Sequence, residues 1–273
     1  MYWPDFVHLL NQHPLDLPRL NFVYARNIAY KDLEIQASVQ QLESLTADAQ
    51  QQISGLTAVS ARAERLSTYL FSECGFKGNG VNYSDPRNSF LNDVLERRLG
   101  IPITLSVLYL SIARQLDIPA YGIGLPGHFI VGVNTAVGPL LLDPFHNGVW
   151  RSQEDCAALI RQTTGYQGVF QSQWLDKTDD RLILLRMVNN VRLSYARQEN
   201  WSAALTAIQH LRLIAPSEAE FIRDEGLIRY KLGDYMGAAQ KLDSYLETDP
   251  STQEVAVLKH RIGTKLTEWA KLN

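Results

Sequence analysis

Two side chains that could share acid–base chemistry stand at the edges of short β-rich runs in the middle of the chain. His128 opens the run HFIVGV, and Asp143 closes the run PLLLD. In many hydrolases and acyl transferases, an imidazole held by a carboxylate takes the proton of a thiol or hydroxyl. The helix that would present such a nucleophile begins at Pro102, and the run that follows, PITLSVLYLSIARQ, contains no cysteine. The acid and the base are therefore predicted without the thiol.

Three other residues offer a hydroxyl or a thiol. Thr104 lies about 200° around the helix from Pro102, whereas Ser106 lies about 40° around it but about 6 Å further along. Cys74 stands in a glycine-rich loop, where a single cysteine more often packs as a small apolar side chain. Each of the three stays open as an alternative nucleophile.

His128 and Asp143 also have a purely structural interpretation, because a buried imidazole bonded to a carboxylate can orient two strands without chemistry. A polar pocket for a ligand or a partner is a further possibility. His146 follows Asp143 by three residues, but this DxxH spacing alone does not define a metal site. We therefore predict no metal and no cofactor. Cys156, which has no histidine near it in the sequence, is predicted to be structural.

The helix from Pro102 is expected to be central and buried. Proline is favoured in a first helical turn, because its missing N–H has no partner there anyway. Leu105, Leu108, Ile112 and Leu116 form one apolar stripe, and further apolar residues widen it until little polar surface is left.

Three short β-rich runs follow this helix, at 120–124, 128–133 and 139–143, and turn residues bound each of them. They predict an antiparallel meander packed on the helix. Residues 21–70 carry helical periodicity, and glycine, asparagine and proline predict a loop over 75–86. The first domain is therefore expected to be α+β.

From about residue 180 onwards, no strand pattern is left and the chain repeats with a period of 34. Residues of the same class recur at this spacing: Trp201, Ala204, Ile208 and Pro216 correspond to Tyr235, Ala238, Leu242 and Pro250. This spacing is typical of tetratricopeptide repeats, in which small residues let paired helices approach closely. Gly226 fits one small position in the second repeat, and Arg192 replaces it in the first. Two domains are predicted, 1–179 and an all-α segment at 180–273.

The composition restricts the possible partners. The chain has 26 basic and 29 acidic residues and a formal net charge of -3, so no positive field would gather nucleic acid or an anionic membrane. No run approaches the roughly 20 apolar residues of a spanning helix, and the first twenty residues lack signal-peptide features. Two cysteines cannot build a disulfide framework. A cytoplasmic protein is expected, and its oligomeric state is left open.

The run GIPITLSVLYLSIARQLDIPAYGIGLPGHFIVGV, with LLLDPF after it, resembles the transglutaminase-like domain of the bacterial SirB-type family. The segments YARNIAYKDLEIQASVQQLESL and DPRNSFLNDVLERRLGIPI resemble it as well, so the likeness covers nearly the whole chain. Members of that family also end in tetratricopeptide repeats. The resemblance implies a papain/transglutaminase-like fold of helices and an antiparallel sheet, followed by helical repeats.

In the broader transglutaminase pattern, Gly-Val-Cys opens the helix, and a histidine and an Asp-Pro pair follow. Laid on this sequence, Gly-Ile-Pro at 100–102 falls on Gly-Val-Cys, while His128 and Asp143 match the other two members. Proline thus takes the place of the nucleophile. The resemblance implies that a thiolate mechanism cannot operate from Pro102, which has no ionisable side chain.

These features favour a non-catalytic adaptor or regulatory protein whose repeats bind a helix or extended peptide of another protein. The alternative is a hydrolase or acyl transferase of amidase or peptidase type, which would use His128 and Asp143 with a non-standard nucleophile. A third possibility is that the repeats only complete the first domain, since about three repeats are normally needed for independent stability.

Overall fold

The computed structural model describes residues 3–248 and, after them, residues 255, 257, 259, 260, 262 and 263. The predicted repeat position Pro250 lies outside these described residues. The chain divides into two compact units, one of residues 1–26 and 30–187 and the other of residues 27–29 and 188–273. The predicted boundary at residue 180 stays a prediction. Within the described part, no helix is long and apolar enough to cross a membrane.

Helices are the main elements of both units in the described part of the chain. Those that begin in the first unit are α1 (Pro4–Leu10), α2 (Leu17–Ile28), α3 (Ile35–Gln52), α4 (Val59–Ser67), α5 (Leu91–Arg97), α6 (Pro102–Gln115), α7 (Gln153–Thr164) and α8 (Asp180–Arg197). The second unit takes the last part of α8 and continues with α9 (Trp201–Ile214), α10 (Ala219–Lys231) and α11 (Tyr235–Thr248).

The first unit contains a short parallel pair of strands and a larger antiparallel sheet. The pair consists of β1 (Lys77–Gly78) and β2 (Leu99–Gly100). The sheet has the order β3 (Ala120–Ile123), β4 (Ile130–Thr135), β5 (Gly138–Asp143) and β6 (Val149–Arg151). All of its neighbouring strands pair antiparallel. The predicted α+β class, with an antiparallel sheet before helical repeats, is confirmed.

Two details of the strand prediction were wrong. Residues 77 and 78 belong to β1 and not to a loop, because the N–H groups of residues 77 and 79 bond to the carbonyls of residues 98 and 100, which local sequence cannot show. The meander also has a fourth strand, β6, whose three residues are too few to display a period-two pattern.

Helix α6 is the central helix of the first unit, as predicted. Its residues 102–110, with Ile112 and Ala113, are all buried. Pro102 occupies the first turn. The Oγ1 of Thr104 accepts a hydrogen bond from the Ile101 N–H at 3.1 Å and donates one to the Asn88 carbonyl at 2.7 Å. These bonds join the start of α6 to the segment that precedes α5.

Ser106 contrasts with Thr104 two residues away on the same helix. Its side chain is buried, and its Oγ has no hydrogen-bond partner within the described residues. A buried hydroxyl that forms no hydrogen bond loses its hydration without compensation. The hydroxyls of Thr104 and Ser106 should therefore differ in their effect on stability.

The second unit explains the small residues of the repeat pattern. Ala204 and Ala238 are both fully buried, and a Cβ added to Gly226 would lie 2.8 Å from the Leu242 side chain. Arg192, which replaces a small residue in the first repeat, is accommodated by an ion pair, since its guanidinium lies 2.8 Å from the Asp224 carboxylate. An ion pair between α8 and α10 thus takes the place of close helix contact.

A buried histidine joins the end of α2 to α9 within the second unit. The Nδ1 of His210 lies 2.8 Å from the Thr206 carbonyl, and its Nε2 lies 3.1 Å from the Asn27 amide nitrogen. Nδ1 therefore carries the proton, and Nε2 accepts from Asn27. Burial outweighs the Thr206 bond and lowers the pKa of His210 from 6.5 to about 4.

The depressed pKa of His210 predicts acid sensitivity between pH 6.5 and about 4. The unfolded chain binds this proton below pH 6.5 and the folded chain does not until about pH 4, so stability is full above this window and falls within it. The loss should approach about 3 kcal/mol. His210→Gln, which can keep both hydrogen bonds but cannot titrate, should remove this component in urea unfolding, whereas the exposed His8→Gln should not. Equal pH dependence of wild type and His210→Gln would contradict this prediction.

Thr104 and Ser106 of α6 provide a matched pair of hydroxyls. Thr104→Val removes a hydroxyl that serves Ile101 and Asn88, and it should lower the free energy of unfolding by about 1–3 kcal/mol. Ser106→Ala removes an unpaired hydroxyl and should leave stability unchanged or raise it by up to about 1 kcal/mol. Urea unfolding at pH 7 measures both. A larger loss in Ser106→Ala than in Thr104→Val would contradict the assignment.

Candidate functional site

His128 ends the turn between β3 and β4. The sequence predicted it at the start of a strand, but β4 begins two residues later at Ile130. The reason is a turn in which the His128 N–H bonds to the Leu125 carbonyl at 3.2 Å. Gly127 permits this turn, because it has a φ of +70° and an added Cβ would lie 2.7 Å from Thr163.

The carboxylate of Asp143, at the end of β5, is the centre of the site. It is fully buried, and its Oδ1 lies 3.0 Å from the Nε2 of His128. Its Oδ2 lies 2.8 Å from the Nδ1 of His146 and accepts from the Nε of Arg151 at 2.7 Å. The structure thus brings together the predicted pair, His128 and Asp143, and adds two further side chains.

Local backbone geometry explains how these side chains converge. Asp143 caps the short 3-10 turn Pro144–His146, and its Oδ1 also accepts from the His146 N–H at 3.3 Å. Asn147 and Gly148 then adopt left-handed φ values of 57° and 68°, which reverse the chain into β6. The β5–β6 pairing returns Arg151 to the side of the carboxylate.

The carboxylate of Asp143 stays ionised in this environment. Burial by itself would raise its pKa, but the hydrogen bonds and charges of His128 and His146 outweigh burial and hold the pKa well below its usual range. The site therefore contains a buried anion surrounded by nitrogen donors.

Aromatic rings and the half-buried cation of Arg186 lie around His128. The Phe145 ring lies edge-on to His128 and to His146, with centroid distances of 5.9 and 5.2 Å. Arg186 donates to the His128 carbonyl at 2.9 Å, and its guanidinium lies 5.2 Å from the centre of the Phe129 ring. Arg186 therefore fixes the backbone of the residue that carries the imidazole.

Sequence reasoning missed Arg151 and Arg186. Arg151 stands in a short run that follows the turn residues Asn147 and Gly148. Turn residues between two such runs indicate a hairpin, which would have placed a strand with Arg151 opposite Asp143. Arg186 has no such signal, because its partners are backbone carbonyls about sixty residues earlier in the chain.

The alternative nucleophiles have other environments. Thr104 serves the start of α6, and Ser106 is buried and unpaired. The backbone N–H of Cys74 donates to the Tyr69 carbonyl at 2.8 Å. Within the described residues, none of the three forms a hydrogen bond with His128, and their role as nucleophiles stays a prediction. Burial raises the pKa of the Cys156 thiol to about 11, which agrees with a structural role.

The central position of Asp143 can be tested by removing its charge. Asp143→Asn should lower the free energy of unfolding by about 3–5 kcal/mol, because it leaves the partly buried guanidinium of Arg151 without its counter-ion. The exposed Asp32→Asn should change it by less than about 0.5 kcal/mol. Urea unfolding at pH 7 measures both, and similar small losses for the two variants would contradict a central role for Asp143.

Two known families match the chain, and they follow each other in the order that the sequence patterns predicted. Residues 36–189 match the model of the transglutaminase-like superfamily. Residues 191–263 match a tetratricopeptide repeat model. The predicted combination of a transglutaminase-like domain and repeats is confirmed.

Curated relatives from bacteria match most of the chain. A UPF0162 protein of Xylella fastidiosa is 36% identical over 197 residues, which are 71% of this chain and 70% of that protein. A UPF0162 protein of Vibrio cholerae is 30% identical over 203 residues, which are 74% and 75% of the two chains. Protein SirB1 of Salmonella typhimurium is 24% identical over 243 residues, 89% of this chain and 90% of that one. The predicted likeness to the SirB-type family is confirmed, and the chain belongs to the transglutaminase-like superfamily.

Proposed function

We propose that this protein is a non-catalytic adaptor or regulatory protein that binds another protein through its tetratricopeptide repeats. The observation that carries the proposal is the hydrogen bonding of His128. Its Nε2 is held by Asp143 at 3.0 Å, and within the described residues no thiol or hydroxyl is hydrogen-bonded to its ring. A base without a nucleophile beside it lacks the proton donor on which acyl transfer depends.

The alignment with the transglutaminase pattern supports the same proposal. Pro102 stands where that pattern has its cysteine, and a proline ring has no group that can attack a carbonyl. Asp143 shares its carboxylate among His128, His146 and Arg151. Such a saturated buried network is suited to holding a loop and a hairpin in place.

The repeat unit supports the binding half of the proposal. Tetratricopeptide repeats generally mediate protein–protein interactions. Large apolar side chains are exposed around the junction of α10 and α11, among them Leu232 at 42% and Met236 at 71%. We propose a partner segment with apolar side chains of its own. We also propose a cytoplasmic location, which the two free cysteines support.

The rival function is a hydrolase or acyl transferase of amidase or peptidase type that acts through His128 and Asp143. It would need Thr104, Ser106 or Cys74 to reach the imidazole in another conformation. Labelling with fluorophosphonate and acyl-thioester probes separates the two functions. The adaptor proposal predicts no adduct that depends on His128, and labelling that is lost in His128→Ala would favour the enzyme.

Photo-crosslinking of the full chain tests the binding role directly. A benzophenone amino acid at Met236 should capture one recurrent protein in cells. The same group at Val137, which is 95% exposed in the first unit, serves as the matched control and should not capture that protein. Identical products at both positions, or no recurrent product at Met236, would contradict binding through the repeats.

A further inference from the structure

Three side chains of the first unit present metal-ligating atoms to a common point. One such atom each from His128, Asp143 and His146 lies within 4.8 Å of the other two. The Oδ1 of Asp143 lies 3.0 Å from the Nε2 of His128, and its Oδ2 lies 2.8 Å from the Nδ1 of His146. The carboxylate would give one of these two oxygens to an ion. In a tetrahedral zinc site with bonds of 2.0–2.1 Å, neighbouring ligand atoms are about 3.3 Å apart.

We propose that His128, Asp143 and His146 bind a divalent transition-metal ion, for which Zn²⁺ is the best match. Two imidazoles and one carboxylate are a ligand set that zinc uses when it keeps a fourth position for water. The DxxH spacing of Asp143 and His146 was insufficient for this inference from the sequence. The third ligand, His128, is supplied by a different turn of the fold.

Metal binding needs the protons on two ring nitrogens to move. In the hydrogen-bonded network, His128 directs Nε2 and His146 directs Nδ1 towards Asp143. To bind an ion, these atoms must present lone pairs, so each ring proton moves to the other ring nitrogen. The Nδ1 of His128 has no hydrogen-bond partner within the described residues. The His146 side chain is 44% exposed, which gives an ion a path from solvent.

Arg151 adjusts the affinity of this site. Its Nε lies 2.7 Å from the Oδ2 of Asp143, so the carboxylate can keep Arg151 on Oδ2 and give Oδ1 to the ion. The arrangement orients the carboxylate. The positive guanidinium also repels a cation a few ångströms away. Removing this charge should therefore tighten metal binding, an effect that an adventitious surface site would not show.

Calorimetric titration of the full, chelator-stripped chain with Zn²⁺ tests the proposal. We expect about one ion per chain in the wild type and at least tenfold weaker binding in His146→Ala, which removes an accessible ligand. Arg151→Gln should bind several-fold more tightly, because glutamine can still donate to Asp143 without a charge. His8→Ala, which removes an exposed histidine elsewhere in the first unit, should bind like the wild type. Circular dichroism confirms that each variant is folded.

Two results would overturn the proposal. One is the absence of Zn²⁺ binding, or binding that is equal in wild type and His146→Ala. The other is a thiolate charge-transfer band when Co²⁺ replaces Zn²⁺, because that band would assign the ion to a cysteine. Zinc binding and partner capture by the repeats are measured independently, so either can fail without the other.

Discussion

The buried carboxylate of Asp143 is the interaction on which the rest of the site depends. It accepts hydrogen bonds from the loop before β4, from the 3-10 turn that it caps itself, and from Arg151 on β6. These segments belong to different parts of the sheet edge, and they converge because the Asp143 carboxylate accepts a hydrogen bond from each of them. An ionised carboxylate in a buried position is stable only when it is paired and hydrogen-bonded.

The same arrangement of imidazole and carboxylate serves acyl transfer when a thiol stands at the start of the facing helix. Here that helix, α6, begins with Pro102, and the nearby hydroxyl of Thr104 stabilises the helix start. The scaffold of the superfamily is thus retained, and in our proposal its nucleophile position is occupied by Pro102. Two imidazoles beside an anion remain suited to a metal ion, which needs their lone pairs and not a nucleophile.

The sequence predicted the features that depend on local spacing. The stripe of α6, the runs of β4 and β5, and the 34-residue period all follow from side-chain periodicity, which neighbouring residues determine. Features formed by distant residues were not predicted. The pairing of β1 with β2 joins short segments on either side of α5. The bonds of Arg186 and His210 likewise link residues far apart in the chain.

Arg192 illustrates why residue identity alone was ambiguous in the repeats. An arginine at a small-residue position argues against close helix packing, but Asp224 supplies its counter-ion from α10. The pairing is visible only after the helices are placed. The candidate site shows the same contrast between features that the sequence predicts and features that only the fold reveals. His128 and Asp143 were predicted from their order in the chain, and Arg151 was not.

The tautomers of His128 and His146 test the central role of Asp143 most directly. Long-range ¹⁵N–¹H correlation spectra of the full chain, recorded with a chelator present, report which ring nitrogen carries each proton. Donation to the carboxylate predicts a proton on the Nε2 of His128 and on the Nδ1 of His146. A His128 ring protonated only at Nδ1, with Nε2 bare beside the carboxylate, would contradict the network described for this site.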